Sequence, residues 1–125
     1  LEPITKLPID ISQIYKTRFY RNDYWNAAYS ELVSVKQSAD QVKVASTPLS
    51  MPLIVLTAAR PPEILQKLQF PVEDYIAIWM QLQKELVKLS PNAKHVVIED
   101  SGHYINLDRP DVVVKAIQQA IEMTR

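Results

Sequence analysis

Apolar residues along this chain follow two kinds of pattern, and the changes between them mark its organisation. From Asp10 to Ala45 they recur at helical spacing, with Tyr24/Trp25, Ala28/Tyr29, Leu32 and Val35 falling on one side. That stretch predicts helix in two or three pieces, with Asp10, Asn22 and Ser38 as candidate N-caps. Pro48 and Pro52 end it. The next apolar run, PLIVLTAA, is unbroken rather than periodic, and predicts a strand over 52–58 buried on both faces, as strands of parallel sheets are. RPPE reads as a turn or loop. Pro71 then opens a long helix to about Leu89, with Ile76, Trp79/Met80, Leu82, Leu86 and Leu89 in one apolar stripe. SPN closes that helix, KHVVIED predicts a second short strand over 94–99, and SGHYINLDR reads as a loop. Pro110 starts a last helix whose Val113/Val114, Ile117 and Ala120/Ile121 share a face.

The order strand, long helix, strand, helix is that of a right-handed parallel crossover, so the class is α/β with strands 52–58 and 94–99 as sheet neighbours. Two parallel strands alone leave open edges on segments as apolar as PLIVL and HVVI. Cover is expected either from a second copy of the chain or from strands outside these residues. The 125 residues, 47% hydrophobic, suit one domain, here a partial one: a helical segment over 1–50 and a strand-helix-strand-helix core over 51–125.

Composition narrows the partners. Lys+Arg 14 against Asp+Glu 14 gives no basic field for nucleic acid. With Cys 0 there is no disulfide, thiol nucleophile or thiolate metal site, which fits a reducing compartment. No apolar run is long enough to span a bilayer, and LEPITKLPID lacks the layout of a secretory signal. The expectation is a cytoplasmic chain that binds neither membrane nor nucleic acid.

The only glycine, Gly102, directly precedes His103. Glycine is the default where backbone bends sharply or approaches another group closely, so Gly102 is expected to aim the imidazole. A neutral imidazole, with an unperturbed pKa of about 6.5, can take a hydroxyl proton and return it to a leaving group. The loop leaving the carboxyl end of a parallel strand is where open α/β sheets keep such groups. The same two residues also fit a surface-loop histidine behind a turn. His95 begins a strand with no turn to aim it, and reads as structural.

From Met51 onward, about three-fifths of the chain, the sequence resembles the C-terminal part of an α/β-hydrolase. MPLIVLTA resembles the strand before the acid loop, and HVVIEDSGHYINLDRPDVVVKAIQQAI resembles the final strand, catalytic-histidine loop and last helix. Residues 10–47 fit the helical lid that such enzymes insert upstream. The resemblance implies a serine-type hydrolase acting on a small ester or similar acyl substrate, without a cofactor or metal, with His103 as general base. Six of the aromatics, Tyr15, Phe19, Tyr20, Tyr24, Trp25 and Tyr29, would suit an apolar pocket wall if that segment covers the site, and otherwise are packing. Tyr104 and Ile105 would flank the site, and Trp79 reads as a core anchor.

Two departures limit what the chain can do by itself. A G-x-S-x-G elbow needs two glycines, and Gly102 stands alone, so the nucleophile is absent. Ser101 has no elbow and is assigned a loop hydrogen bond. The acid loop is also altered: Ala58 stands where a glycine is usual, and Pro61 where the aspartate would fall. Glu63 is the nearest carboxylate in that loop, either the acid or a solvated turn residue; otherwise the acid lies upstream of Leu1. Asp108 and Asp111 read as N-cap and first-turn acids of the last helix, and Glu99 and Asp100 as loop anions. The chain therefore reads as the histidine half of a hydrolase, whose partner is the missing N-terminal half or a homo-oligomer. The alternative is a non-catalytic module or pseudo-enzyme that binds a partner through its open sheet edge.

Overall fold

The computed structural model describes residues 4–45 and 47–124, the side chains of Ile4, Glu63 and Gln66 excepted. The chain divides into two compact units, Leu1–Ser46 and Thr47–Arg125.

The first unit is two helices joined by a tight corner. Helix α1 spans Ile9–Arg18 and α2 spans Asn22–Ala45. Pro8, not Asp10, caps α1, because a proline with its fixed φ and missing N–H fits the helix entry, and Asp10 falls in the first turn. Asn22 is the first residue of α2. Ser38 caps nothing: α2 runs through it unbroken, supported on its surface by Lys36 Nζ donating to Asp40 at 2.7 Å one turn on. The corner explains much of the aromatic crowding. Phe19 is packed by Tyr15, Tyr24 and Trp25 at centroid distances of 6.2, 4.8 and 6.0 Å, and Trp25 Nε1 donates to the Phe19 carbonyl at 2.8 Å. Tyr20 and Tyr29 are exposed.

The second unit is α/β. Strand β1 (Leu53–Ala58) pairs in parallel with β2 (Ala93–Ile98), in the register Leu53↔Ala93 through Ala58↔Ile98. Between them lie a short helix α3 (Glu63–Lys67), the crossover helix α4 (Val72–Leu86) and a 3-10 turn over Val87–Leu89. A single helical turn α5 (Ile105–Asp108) interrupts the segment expected as loop, and α6 (Pro110–Glu122) follows with proline at its first position. The left-handed residue ending α3 is Gln69, at φ 52°, and Phe70 N–H donates back to the Leu65 carbonyl at 2.9 Å, which closes the helix end as glycine usually does.

The core runs from the middle of β1, where Val55 is buried, to the carboxyl ends of both strands, where Ala58 and Ile98 are buried. Burial on both faces, expected of the first strand, holds there to the extent that no residue of β1 is exposed, with Val55 and Thr57 buried on one face and Ala58 on the other; β2 is more open. Val96 and Val97 point to opposite faces of the sheet by strand alternation, and each is 37% exposed. The covered face is secured by polar contacts: Thr57 Oγ1 lies 2.7 Å from His95 Nε2 and 3.4 Å from Gln83 Oε1 on α4. His95 is thus a half-buried partner of the neighbouring strand, whose Thr57 in turn reaches the crossover helix, and that is a structural place. At the amino end of the strands, Ser90 Oγ donates to the Met51 carbonyl at 2.7 Å and accepts from the Asn92 N–H at 3.2 Å, fixing the entry to β2. No helix among the described residues is long and apolar enough to cross a membrane.

Candidate active site

Because β1 and β2 run parallel and in register, the segments that follow them leave the same edge of the sheet. Pairing continues past both strands: Ala59 N–H donates to the Ile98 carbonyl and Arg60 N–H to the Ser101 carbonyl, each at 3.1 Å. The Arg60 guanidinium also donates to the Asp100 carbonyl. The segment after β1 and the loop that carries His103 are therefore held side by side for several residues.

His103 stands on this edge with its side chain exposed. Its ring packs edge-on against Tyr104, with centroids 5.1 Å apart. Together with Pro61, Pro62, Tyr75, Ile76 and Trp79 it lines a crevice of about 10 Å³, room for one water at most. Tyr75 and Trp79, one turn apart on α4, stack at 6.4 Å with an interplanar angle of 6°. Trp79, expected as a core anchor, is only half-buried and forms part of the wall beside the imidazole.

Gly102 does not bend the chain through left-handed backbone, since no described glycine has positive φ. What it supplies is a backbone donor. Its N–H donates to Asp108 Oδ2 at 2.8 Å, tying the start of the loop to the end of α5. Asp108 is therefore not the cap of the last helix; Arg109 occupies that position. Ser101, at 0% exposure, donates its hydroxyl to the Gly102 carbonyl at 2.9 Å and presents no oxygen to the crevice.

Charge around the loop is organised by Arg109. Its guanidinium donates to both carboxylate oxygens of Asp100, at 2.7 and 2.6 Å, and to Asp111 at 2.9 and 2.8 Å. Hydrogen bonds from Arg109 hold the Asp111 carboxyl down to about 2, and the two carboxylates hold Arg109 firmly protonated. Asp100 and Asp111 thus brace the loop base and the start of α6.

No carboxylate among the described residues hydrogen-bonds His103. Pro61 lies beside it in the crevice wall, and its side chain offers no acceptor to an imidazole N–H. Glu63 begins α3, and its side chain lies outside the described residues. No grouping of three or more His, Asp or Glu side chains is placed to hold a metal ion among the described residues.

Sequence reasoning did not single out Asp108 as a partner of Gly102, or Tyr75 as part of the crevice wall. A signal existed for the first: a carboxylate six residues after the glycine can fold back once YINLD takes a helical turn. No family model, curated protein or solved structure matches this chain.

Proposed function

We propose that these residues form the C-terminal part of a serine-type α/β-hydrolase acting on a small ester or similar acyl substrate, with His103 as general base. One observation carries the reading. His103 is exposed at the carboxyl edge of a parallel strand pair, beside the segment that leaves the neighbouring strand and above an apolar, aromatic wall. An imidazole so placed can accept a proton from a serine hydroxyl and pass it to the departing alkoxide. Ser101 is buried and hydrogen-bonded to its own loop, so the attacking hydroxyl comes from residues outside these 125. The helical unit is assigned as lid, and a cytoplasmic site of action is part of the proposal, on the absence of cysteine.

The alternative, a non-catalytic module that binds a partner or self-associates through its open sheet edge, draws on the two-stranded sheet, in which β1 and β2 each have one side unpaired among the described residues. One experiment separates the two. These residues are joined to a polypeptide carrying the N-terminal strands and a G-x-S-x-G elbow, and hydrolysis of a chromogenic short-chain ester is followed. The hydrolase reading expects turnover that falls on the order of 10⁴-fold in His103→Ala, because the base and nucleophile act as a unit. Glu63→Gln, folded but strongly impaired, would identify the acid. Unchanged turnover without His103 would remove the catalytic assignment.

A further inference from the structure

The loop that carries His103 is closed on itself by a contact that the hydrolase reading does not require. Gly102 N–H donates to Asp108 Oδ2 at 2.8 Å, so residues 102–108 form a ring sealed by a carboxylate. Inside the ring, α5 is a stiff turn: Leu107 and Asp108 N–H groups both donate to the Tyr104 carbonyl, at 2.9 and 3.0 Å, and Arg109 N–H donates to the Ile105 carbonyl at 2.7 Å. Outside it, the Ser101 carbonyl accepts from Arg60 N–H and the Asp100 carboxylate is gripped by Arg109. His103 is the exposed residue between the sealed glycine and the helical turn.

We infer that Asp108 is a positioning residue for His103: its carboxylate fixes the backbone one residue before the imidazole and so restricts where the ring can stand. The inference rests on the reading of His103 as a general base, but its geometry is independent of any substrate. A hydrogen bond from N–H to carboxylate is charge-assisted, stronger than a neutral one. Held at Gly102 and Tyr104, the residue between has little freedom left, and its ring stays edge-on to Tyr104. An imidazole so confined has less orientational entropy to lose when it meets a hydroxyl.

The chain offers a direct probe, because Gly102 is its only glycine and its two histidines are few enough to resolve. In the 125-residue protein labelled with ¹⁵N-glycine, the single glycine amide should exchange slowly. In Asp108→Ala its exchange should speed up by about tenfold to a hundredfold. The His103 ring resonances, displaced by Tyr104, should move toward those of a free histidine. Asp108→Asn keeps an acceptor oxygen without the charge and should fall between the two on both signals.

A native Gly102 amide that exchanges like an unstructured one overturns the inference. So does an Ala variant that leaves either the glycine or the His103 signal unchanged. If Asp108→Ala does not fold, the comparison of native protein with Asp108→Asn decides: faster glycine exchange supports the inference and identical exchange overturns it. Both signals are read without turnover, so a failure here leaves the ester test of His103 standing, and a failure of that test leaves this result intact.

Discussion

Replacing Thr57 by valine would test whether the Thr57 hydroxyl, which meets His95 on β2 and Gln83 on α4, holds the covered face of the sheet together. Thr57 is 1% exposed, and valine fills nearly the same volume, so the change removes the hydroxyl and little packing. The hydroxyl has one proton. Either it donates to a bare His95 Nε2, or His95 donates to it while Thr57 donates to Gln83 Oε1. In both cases valine strips His95 of a 2.7 Å partner on the covered side of the sheet. A buried group left unsatisfied costs about 1–3 kcal/mol, and water reaching a half-buried imidazole recovers part of that, which leaves about 1–2 kcal/mol. For a unit of this size that lowers Tm by about 6–12 °C. Urea unfolding should be followed by Trp79 fluorescence in a Trp25→Phe background, so that the helical unit does not contribute. The double variant Thr57→Val with His95→Phe should regain part of the loss, because His95 is then no longer orphaned and only the half-buried Gln83 Oε1 is left to find water. A single variant within about 0.3 kcal/mol of the parent, or a double variant with simply additive losses, would refute the reasoning.

Three further outcomes follow from particular contacts. Gln69→Gly should stabilise the protein by about 0.5 kcal/mol, since glycine relieves the side-chain clash at φ 52° but gives the unfolded chain more freedom; a lower urea midpoint would count against it. The Asp111 carboxyl, followed by NMR, should titrate near 2 rather than near the ordinary value of about 3.9. Its folded pKa is depressed, so its contribution to stability is present above about pH 4 and is lost as pH falls through about 2; a midpoint near 4 would show that Arg109 does not hold it. The isolated chain should bind a dye for exposed apolar surface or self-associate as concentration rises. A dilute monomer that binds no dye and protects Val96 and Val97 amides fully would contradict the exposure of those strands.

Much of the second unit was legible because its signals are local. Unbroken apolar runs between prolines give β1 and β2, and Pro110 places the start of α6. Parallel pairing follows from the helix between the strands. What escaped was decided by contacts across the chain or by choices without a sequence marker. Ser38 resembles a cap, but α2 has no breaker near it and Lys36 can pair with Asp40 across the turn. The αL position after α3 carries glutamine rather than glycine, so α3 had no visible stop. Asp108 sits where a cap belongs; its carboxylate finds a better donor in Gly102 once α5 turns the loop back. At the candidate site His103 was legible from Gly102 and the preceding strand. The wall beside it was not, because Tyr75 and Trp79 reach the crevice from α4, far away in sequence.

The second unit is ordered by polar contacts at one edge and left open over its apolar faces. Around the histidine loop, Arg60, Asp108 and Arg109 tie backbone and carboxylates together without needing buried area. On the faces, Val96 and Val97 on the sheet are each 37% exposed, and Val114, Ile117 and Ile121 on α6 are each a little over one-half exposed. Full burial of an aliphatic side chain is worth about 1.5–3 kcal/mol, so five of them left partly open forgo several kcal/mol, comparable with the net stability of a small domain. Covering those faces would therefore change the stability of the unit far more than the geometry of the loop. That separation suits the proposed role: the base can be set in place by its own loop contacts, while the strands that would complete a hydrolase sheet pair along its open edges and further elements cover its faces.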